Sequence, residues 1–427
     1  MNIVYLHCHD AGRWLSPYGC PVRTPQLAAF ARTALRFDEA HCAAPTCSPS
    51  RVAMLTGLSP HEAGMVGLAH RGFAMTRPER HLAVRLRAHG YETALAGIQH
   101  EWAFQAPLPY EHVLPRESPQ GVSSPENDWF VATRAAAFLR ERRRDRPLFL
   151  SCGFYFPHRV FPPVEVERLP TADALPPGLP DVPPVRDDFA GYATAVSRMD
   201  DALGLVMRAV EETCPKEETV VLFTTDHGPA FPGMKCRLGA AGTGVALLLR
   251  TPDLARPGAA TAELVSQIDL YPTLGDYAGL EPLAGEGRSL RPLLRGGSLA
   301  ARPGVFSEVS FHVAYEPMRA VRTMTHLYVR RFDLGNHPAL ANVDEGPAKR
   351  WCEAHGQLGA PVLEEELYDL RLDPGETTDL AADPAHAEVL RELRMQLAGW
   401  MERTSDPLRL GKVPAPAGAR IMPPGGR

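Results

Sequence analysis

Along this chain short, wholly apolar runs alternate with longer segments that are apolar on one side only. The polar residues with chemical potential sit where the apolar runs end. Ile3–Cys8 reads as a buried strand that delivers His9, Asp10 and Gly12 to a loop. Thr24 precedes Pro25 and the one-sided set Leu27, Phe30 and Ala31, which predicts a helix capped by Thr24. Leu82–His89 predicts a short helix stopped by Gly90, then the strand Glu92–Ala96 and the turn Gly97-Ile98-Gln99-His100. Asp128–Arg144 is a longer helical pattern with a basic end. The apolar strand Pro147–Phe154 follows it and leads to Phe156-Pro157-His158-Arg159. Prolines crowd residues 157–186, predicting an extended surface excursion that shapes a substrate mouth. Asp188–Glu212 is helical in period, and the β-branched run Glu218–Thr225 ends at Asp226-His227-Gly228.

Strands and helices in alternation predict an α/β fold with a mostly parallel central sheet sandwiched by helices. Ligands of such sheets bind beyond the carboxyl ends of the strands, where each polar motif above falls. After about residue 300 the pattern changes. Val305–Val309, Arg319–Thr323 and His326–Phe332 read as short strands, residues 335–361 as irregular, and Glu366–Leu380 as a further segment. The one-sided set Val389, Leu390, Leu393, Leu397 and Trp400 makes His386–Arg403 an amphipathic helix. The expected organisation is a catalytic α/β domain over 1–300 and a small antiparallel sheet subdomain over 301–406. A Pro/Gly-rich tail over 407–427, ordered only in part, completes it.

Composition adds mainly exclusions. A length of 427 residues favours two subdomains over one small core. A formal net charge of −5 argues against nucleic acid as a general partner, so any anion must be met by a local cluster. No stretch is long and apolar enough to span a bilayer, and Met1–Leu6 runs straight into the first strand without the parts of a secretory leader. Eight cysteines without framework spacing complete the expectation of a cytoplasmic, disulfide-free protein, with a homo-oligomer left open.

One of those cysteines opens the most informative stretch, Cys47-Ser48-Pro49-Ser50-Arg51-Val52-Ala53-Met54-Leu55-Thr56-Gly57. Pro49 presets φ for the first turn of a helix, which places Cys47 just ahead of the helix N-terminus. Unpaired N–H groups and the helix dipole favour anions there. Arg51 adds a planar fork of donors suited to a charged oxygen. His9 and Asp10 at one strand end, with Asp226 and His227 at another, form pairs able to converge on one cation.

The Cys47 stretch closely resembles the signature of the type I, formylglycine-dependent sulfatases of the alkaline phosphatase-like superfamily. Gly64-Met65-Val66-Gly67-Leu68, Pro157-His158-Arg159, Arg198-Met199-Asp200, Pro317-Met318-Arg319 and Glu366-Leu367-Tyr368-Asp369 resemble its heparan N-sulfatase (sulfamidase) branch. The resemblance implies that a formylglycine-generating enzyme oxidises Cys47. It also implies that His9, Asp10, Asp226, His227 and the modified Cys47 hold a divalent metal, calcium in the family. His9 stands where the family has an aspartate, and two imidazoles make the set more hospitable to manganese or zinc. By the same resemblance His100, His158 and Lys235 surround the sulfate. His158 protonates the leaving group, and His100 takes the proton that releases sulfate from a formylglycine hydrate. Ile98 replaces the lysine of the family's Lys-x-His turn, and the expected stand-ins are Gln99 or Arg13. The activity implied is hydrolysis of a sulfate ester or sulfamate. The alternatives are a phosphodiesterase or phosphonate monoester hydrolase of the same superfamily, and a catalytically silent binding homologue.

Overall fold

The strand Asn2–Cys8 lies at the centre of an eight-stranded sheet in the computed structural model, which describes all residues except 104, 171–174, 333–337, 359 and 424–427. The order across the sheet begins His112–Val113, Glu92–Gly97, Leu148–Phe154 and Asn2–Cys8. It continues through Thr219–Thr225, Leu247–Arg250, Leu35–Phe37 and Ala260–Thr261. Neighbours are parallel except Leu247–Arg250, which runs antiparallel to both of its partners. Successive strand residues point to opposite faces, so a strand apolar at every position must be covered twice. Val4, Leu6 and Cys8 meet residues such as Val131, Leu139, Val196 and Leu203, from the helices Asn127–Glu141 and Pro183–Thr213. Ile3 and Tyr5 face the other way, into a core with Met54, Leu55, Leu86 and Leu274.

A second sheet is antiparallel throughout, in the order Val305–Phe311, Tyr315–Arg322, His326–Arg331 and Glu365–Asp369. The helix Ala387–Arg403 packs Leu390, Leu393, Leu397 and Trp400 against Val321, Tyr328 and Leu367. Val52, Leu58 and Met65 belong to that same cluster. The segment that begins with Cys47 is therefore gripped by the small sheet's core as well as by the large one's.

Several expectations are corrected by long-range contacts. Thr24 sits at the helix start, but its hydroxyl accepts from the Ser16 N–H at 2.9 Å. The cap comes instead from Asp200, whose carboxylate takes the N–H groups of Gln26 and Leu27, each at 2.8 Å. The helix Asn127–Glu141 stops short of Arg144, because Arg142 turns extended and pairs with Glu92 at 2.7 Å. Strands such as Leu35–Phe37 and Leu247–Arg250 are too short to carry a readable period. The excursion from residue 157 ends early, since the long helix begins at Pro183. Residues 335–361 are not all irregular. Among those described, Pro347–Ala354 is a helix that buries Ala348 in the large sheet's core and donates the Ala348 N–H to Asp188. The tail touches the rest of the chain at intervals as far as Met422, with Leu408 and Val413 buried; residues 424–427 lie outside the described part.

Candidate active site

The helix Cys47–Thr56 has all ten residues buried, and Cys47 is its first helical residue rather than the one before it. Thr46 at the cap position is extended and makes no side-chain cap, so it does not claim the first-turn N–H groups that favour an anion. The helix ends at Gly57 with φ +70, where a Cβ would lie 2.5 Å from the Tyr271 ring. Only glycine meets both demands.

Two strand-end loops converge beside Cys47. Asp10 takes a left-handed backbone, φ 44, and its N–H donates to Asp226 Oδ1 at 2.9 Å. Gly228 follows His227 because a Cβ there would lie 1.9 Å from the Ala241 carbonyl oxygen. His227 Nδ1–H donates to the Gly228 carbonyl at 2.9 Å. That contact leaves Nε2 with a lone pair, 3.3 Å from both Cys47 Sγ and Asp10 Oδ1 and 3.6 Å from Asp226 Oδ2. Ligand atoms of His9, Asp10, Cys47 and Asp226 all lie within 4.8 Å of one another. Ligands about 2–2.5 Å from one cation have about that mutual spacing. His9 Nε2 and Asp10 Oδ1 are buried without a hydrogen-bond partner. An unprotonated imidazole nitrogen, two carboxylates and orphaned buried atoms facing one point fit a divalent cation.

Electrostatics agree with that fit. Burial alone would raise the Asp226 carboxyl, but His227, Arg51 and His9 outweigh it and hold it well below the usual range. Asp10 is likewise held low against burial, first by Lys235 and then by His158 and His227. Arg51 donates to Asp226 Oδ2 at 3.0 Å and contacts His7 Nδ1 at 2.5 Å. Lys235 reaches Asp10 at 3.1 Å and Asp344 at 3.4 Å, partners that keep it charged although burial opposes this. Its loop is tied down by the Cys236 N–H, which donates to the Pro45 carbonyl at 2.9 Å. Burial and the Arg51 charge lower His9 to about 4, so at neutral pH its imidazole is uncharged. The Cys47 thiol is pushed well above its ordinary value by burial; Asp10 and Asp226 add to this, and Lys235 and Arg51 oppose it. Such a thiol is protonated and a poor nucleophile.

In front of this cluster is a cavity of about 270 Å³, lined by residues including His9, His70, Ile98, His100, Tyr155 and His158. Asp128 orients its far side, taking the N–H groups of Tyr155 and Phe156 at 2.7 and 3.0 Å. His158 Nδ1–H donates to the Arg159 carbonyl at 2.6 Å. Nitrogen or sulfur atoms of His9, Cys47 and His100 also lie within 4.8 Å of one another. Residues 160–186, expected at the substrate mouth, do not line this cavity among those described.

Both expected stand-ins for the lysine lost at Ile98 have partners of their own. Gln99 lines the cavity, but its Oε1 accepts the Glu101 and Trp102 N–H groups and its Nε2 donates to the Trp102 carbonyl. Arg13 donates to the Ala40 carbonyl at 2.9 Å and contacts His41 and Glu39. Sequence reasoning missed His70, whose Nδ1 is 2.8 Å from His100 Nε2, and Tyr155. It also missed Asp344, and His312, whose charge environment includes Lys235, Asp344, His227 and Asp10. No local pattern marks Asp344 or His312, which come from the C-terminal part of the chain. For His70 the signal was its place at the end of Gly67-Leu68-Ala69-His70.

The fold is alkaline phosphatase-like, and this cluster at the strand ends of its mostly parallel sheet is the candidate hydrolase site. The Sulfatase family model matches residues 2–280, and the chain belongs to that family of sulfuric ester hydrolases. It is similar to human N-sulphoglucosamine sulphohydrolase, 30% identical over 95% of this chain and 91% of that one. A solved structure described as a complex with its substrate D-glucosamine-2-N,6-O-disulfate shares the fold, with a TM-score of 0.73 at 17% identity over 95% of this chain and 98% of that one. So does the phosphonate monoester hydrolase of Agrobacterium radiobacter, with a TM-score of 0.71 at 20% identity over 94% and 96%. Fold alone therefore does not separate sulfate from phosphonate chemistry. No helix among the described residues is long and apolar enough to cross a membrane.

Proposed function

We propose that this protein hydrolyses a sulfate ester or sulfamate carried by a sugar or a small organic molecule, after Cys47 has become formylglycine. One observation carries the reading: Cys47 opens a buried helix with Sγ 3.3 Å from His227 Nε2, inside the cluster formed by His9, Asp10 and Asp226. Burial pushes the thiol pKa well up, which makes the unmodified thiol a poor nucleophile. Formylglycine supplies a hydrated aldehyde, whose hydroxyl is a nucleophile that the buried thiol is not. A divalent cation would be held by His9, Asp10, Asp226 and His227 and would supply Lewis-acid polarisation. Calcium is the family expectation, and the two imidazoles favour manganese or zinc.

The chain's own groups do the rest. Arg51 keeps Asp226 ionised, and Lys235 brings a positive charge to the rim for the sulfuryl oxygens. His158, with Nδ1–H committed to the Arg159 carbonyl, gives the Nε2 proton of its imidazolium form to the departing oxygen or nitrogen and is left neutral. His100 accepts the proton released at residue 47. Similarity to the human N-sulphoglucosamine enzyme favours N-sulfated amino sugars as the substrate class. All eight cysteines are free, which suits a reducing compartment such as the cytoplasm. The test is turnover of nitrophenyl sulfate and glucosamine N-sulfate against a phenylphosphonate ester, using protein matured with a formylglycine-generating enzyme. Metal-dependent sulfate release that exceeds phosphonate cleavage supports the reading; preferential phosphonate cleavage, or no turnover, contradicts it.

A further inference from the structure

The loop Leu68–Phe73 is held from two sides. On one side the Ala69 N–H donates to Ser48 Oγ at 3.0 Å, next to Cys47. On the other lies the chain's own C-terminal segment. The Arg420 N–H donates to the Arg71 carbonyl, and the Arg71 guanidinium to the Arg420 carbonyl, each at 2.9 Å. The Arg420 guanidinium donates to the His70 carbonyl. Gly72 has φ +98, and a Cβ there would lie 3.1 Å from Ala419 Cα, so the segment passes too close for a larger residue. Further along, the Met422 N–H donates to the Val313 carbonyl at 2.9 Å; earlier, the Val413 N–H reaches Tyr315 Oη at 3.1 Å.

What this clamp presents to the cavity is the His70 ring. His70 Nδ1 is 2.8 Å from His100 Nε2, and the other His100 ring nitrogen, Nδ1, is buried without a partner. His100 has a left-handed backbone, φ 65, a conformation that a non-glycine residue keeps only when its surroundings impose it. Cationic or ionisable groups surround both rings. The charges of Arg71, Arg420, His158 and Lys235 act on His70, and those of His9, His70, Arg51 and His158 on His100.

We infer that His70 is the positioning residue for His100, and that the C-terminal segment 413–422 is built into the active site as the strap that holds His70 there. His100 Nε2–H donates to His70 Nδ1, which fixes the His100 ring and tautomer and leaves Nδ1 as its proton-accepting atom. This rests on the sulfatase reading for the use of that proton, but not for the contact itself. Groups that orient a reacting imidazole in this way typically govern about 10–100-fold in activity.

The test uses the full-length matured enzyme and the variants His70→Ala, His70→Asn and Arg420→Ala, with kcat and KM on nitrophenyl sulfate, thermal midpoints and imidazole ¹⁵N shifts. Expected are a fall of about 10–100-fold in kcat for His70→Ala with KM and the thermal midpoint little changed. His70→Asn should recover much of that loss, since its amide oxygen occupies the place of Nδ1, and Arg420→Ala should fall in the same direction by less. The ¹⁵N shifts should report Nε2-protonated His100 in the wild type and a changed tautomer distribution in His70→Ala. Wild-type kcat in a folded His70→Ala, recovery by His70→Asn no better than by alanine, or unaltered His100 shifts would each overturn the inference. A wild type that turns over no sulfate ester, with the ¹⁵N shifts as expected, would sink the sulfatase reading and leave the contact standing.

Discussion

Two sets of residues around the candidate site differ in kind: a near wall, the cluster made by the Cys47 helix and two strand-end loops, and a far wall, made of His70, which lines the cavity, with Asp344, the partner of Lys235, and His312. Near-wall residues come from short contiguous motifs whose backbone dictates their placement: Asp10 and His227 leave adjacent strands, and Cys47 opens a helix. Far-wall residues depend on contacts between distant parts of the chain. Asp344 reaches Lys235 across 109 positions, and Arg420 holds the His70 loop across 350. The candidate cluster is thus specified locally, and its support is specified by contacts between distant parts of the chain.

That contrast can be broken at either wall. Cys47→Ala should remove sulfate-ester turnover by at least about 10³-fold while the fold persists, as measured by steady-state rates and circular dichroism. Residual activity near wild type would mean that the near wall is not the reacting centre. Asp226→Asn should cost about 3–5 kcal/mol in denaturant unfolding, because it leaves the buried Arg51 charge uncompensated, and it should lower bound metal in elemental analysis. At the far wall Asp344→Asn should lower kcat/KM by about tenfold, since Lys235 loses one of two carboxylate partners.

A pH series sharpens the comparison, because His9 of the near wall and His312 of the far wall are buried and neutral. Burial, with help from neighbouring positive charge, puts His9 at about 4 and His312 at about 3; burial likewise puts His41 and His81 at about 3. Below about pH 6.5 the unfolded chain binds protons that the folded one refuses. Stability of the metal-free protein is therefore complete above that pH and falls steadily toward about pH 4, seen as a lower urea midpoint near pH 5 than at pH 7. A flat midpoint over that range would show these imidazoles to be solvated. The smallest effect belongs to Arg13→Ala, which should leave the rate on nitrophenyl sulfate unchanged and cost about 1 kcal/mol, through the lost Ala40 and His41 contacts.

Much of the near wall was legible because its chemistry and its spacing coincide. Pro49 announces a helix start, and glycines at 57 and 228 mark positions that a Cβ cannot occupy. The parallel sheet was legible from apolar runs such as Ile3–Cys8 and Glu218–Thr225. The Thr24 cap failed because Asp200, far along the chain, competes for the same N–H groups. Gln99 has its amide engaged by its own turn, a contact visible only once the turn is folded. Asp344 sat in a stretch expected to be irregular, and no residue beside it hints at Lys235.

Most direct of all is the mass of the Cys47 peptide from protein made alongside a formylglycine-generating enzyme, set against the activity of the same sample. The expected peptide has lost one sulfur and two hydrogens and gained one oxygen, and sulfate release rises in proportion to the converted fraction. Full activity from an unmodified Cys47 peptide would contradict the mechanism.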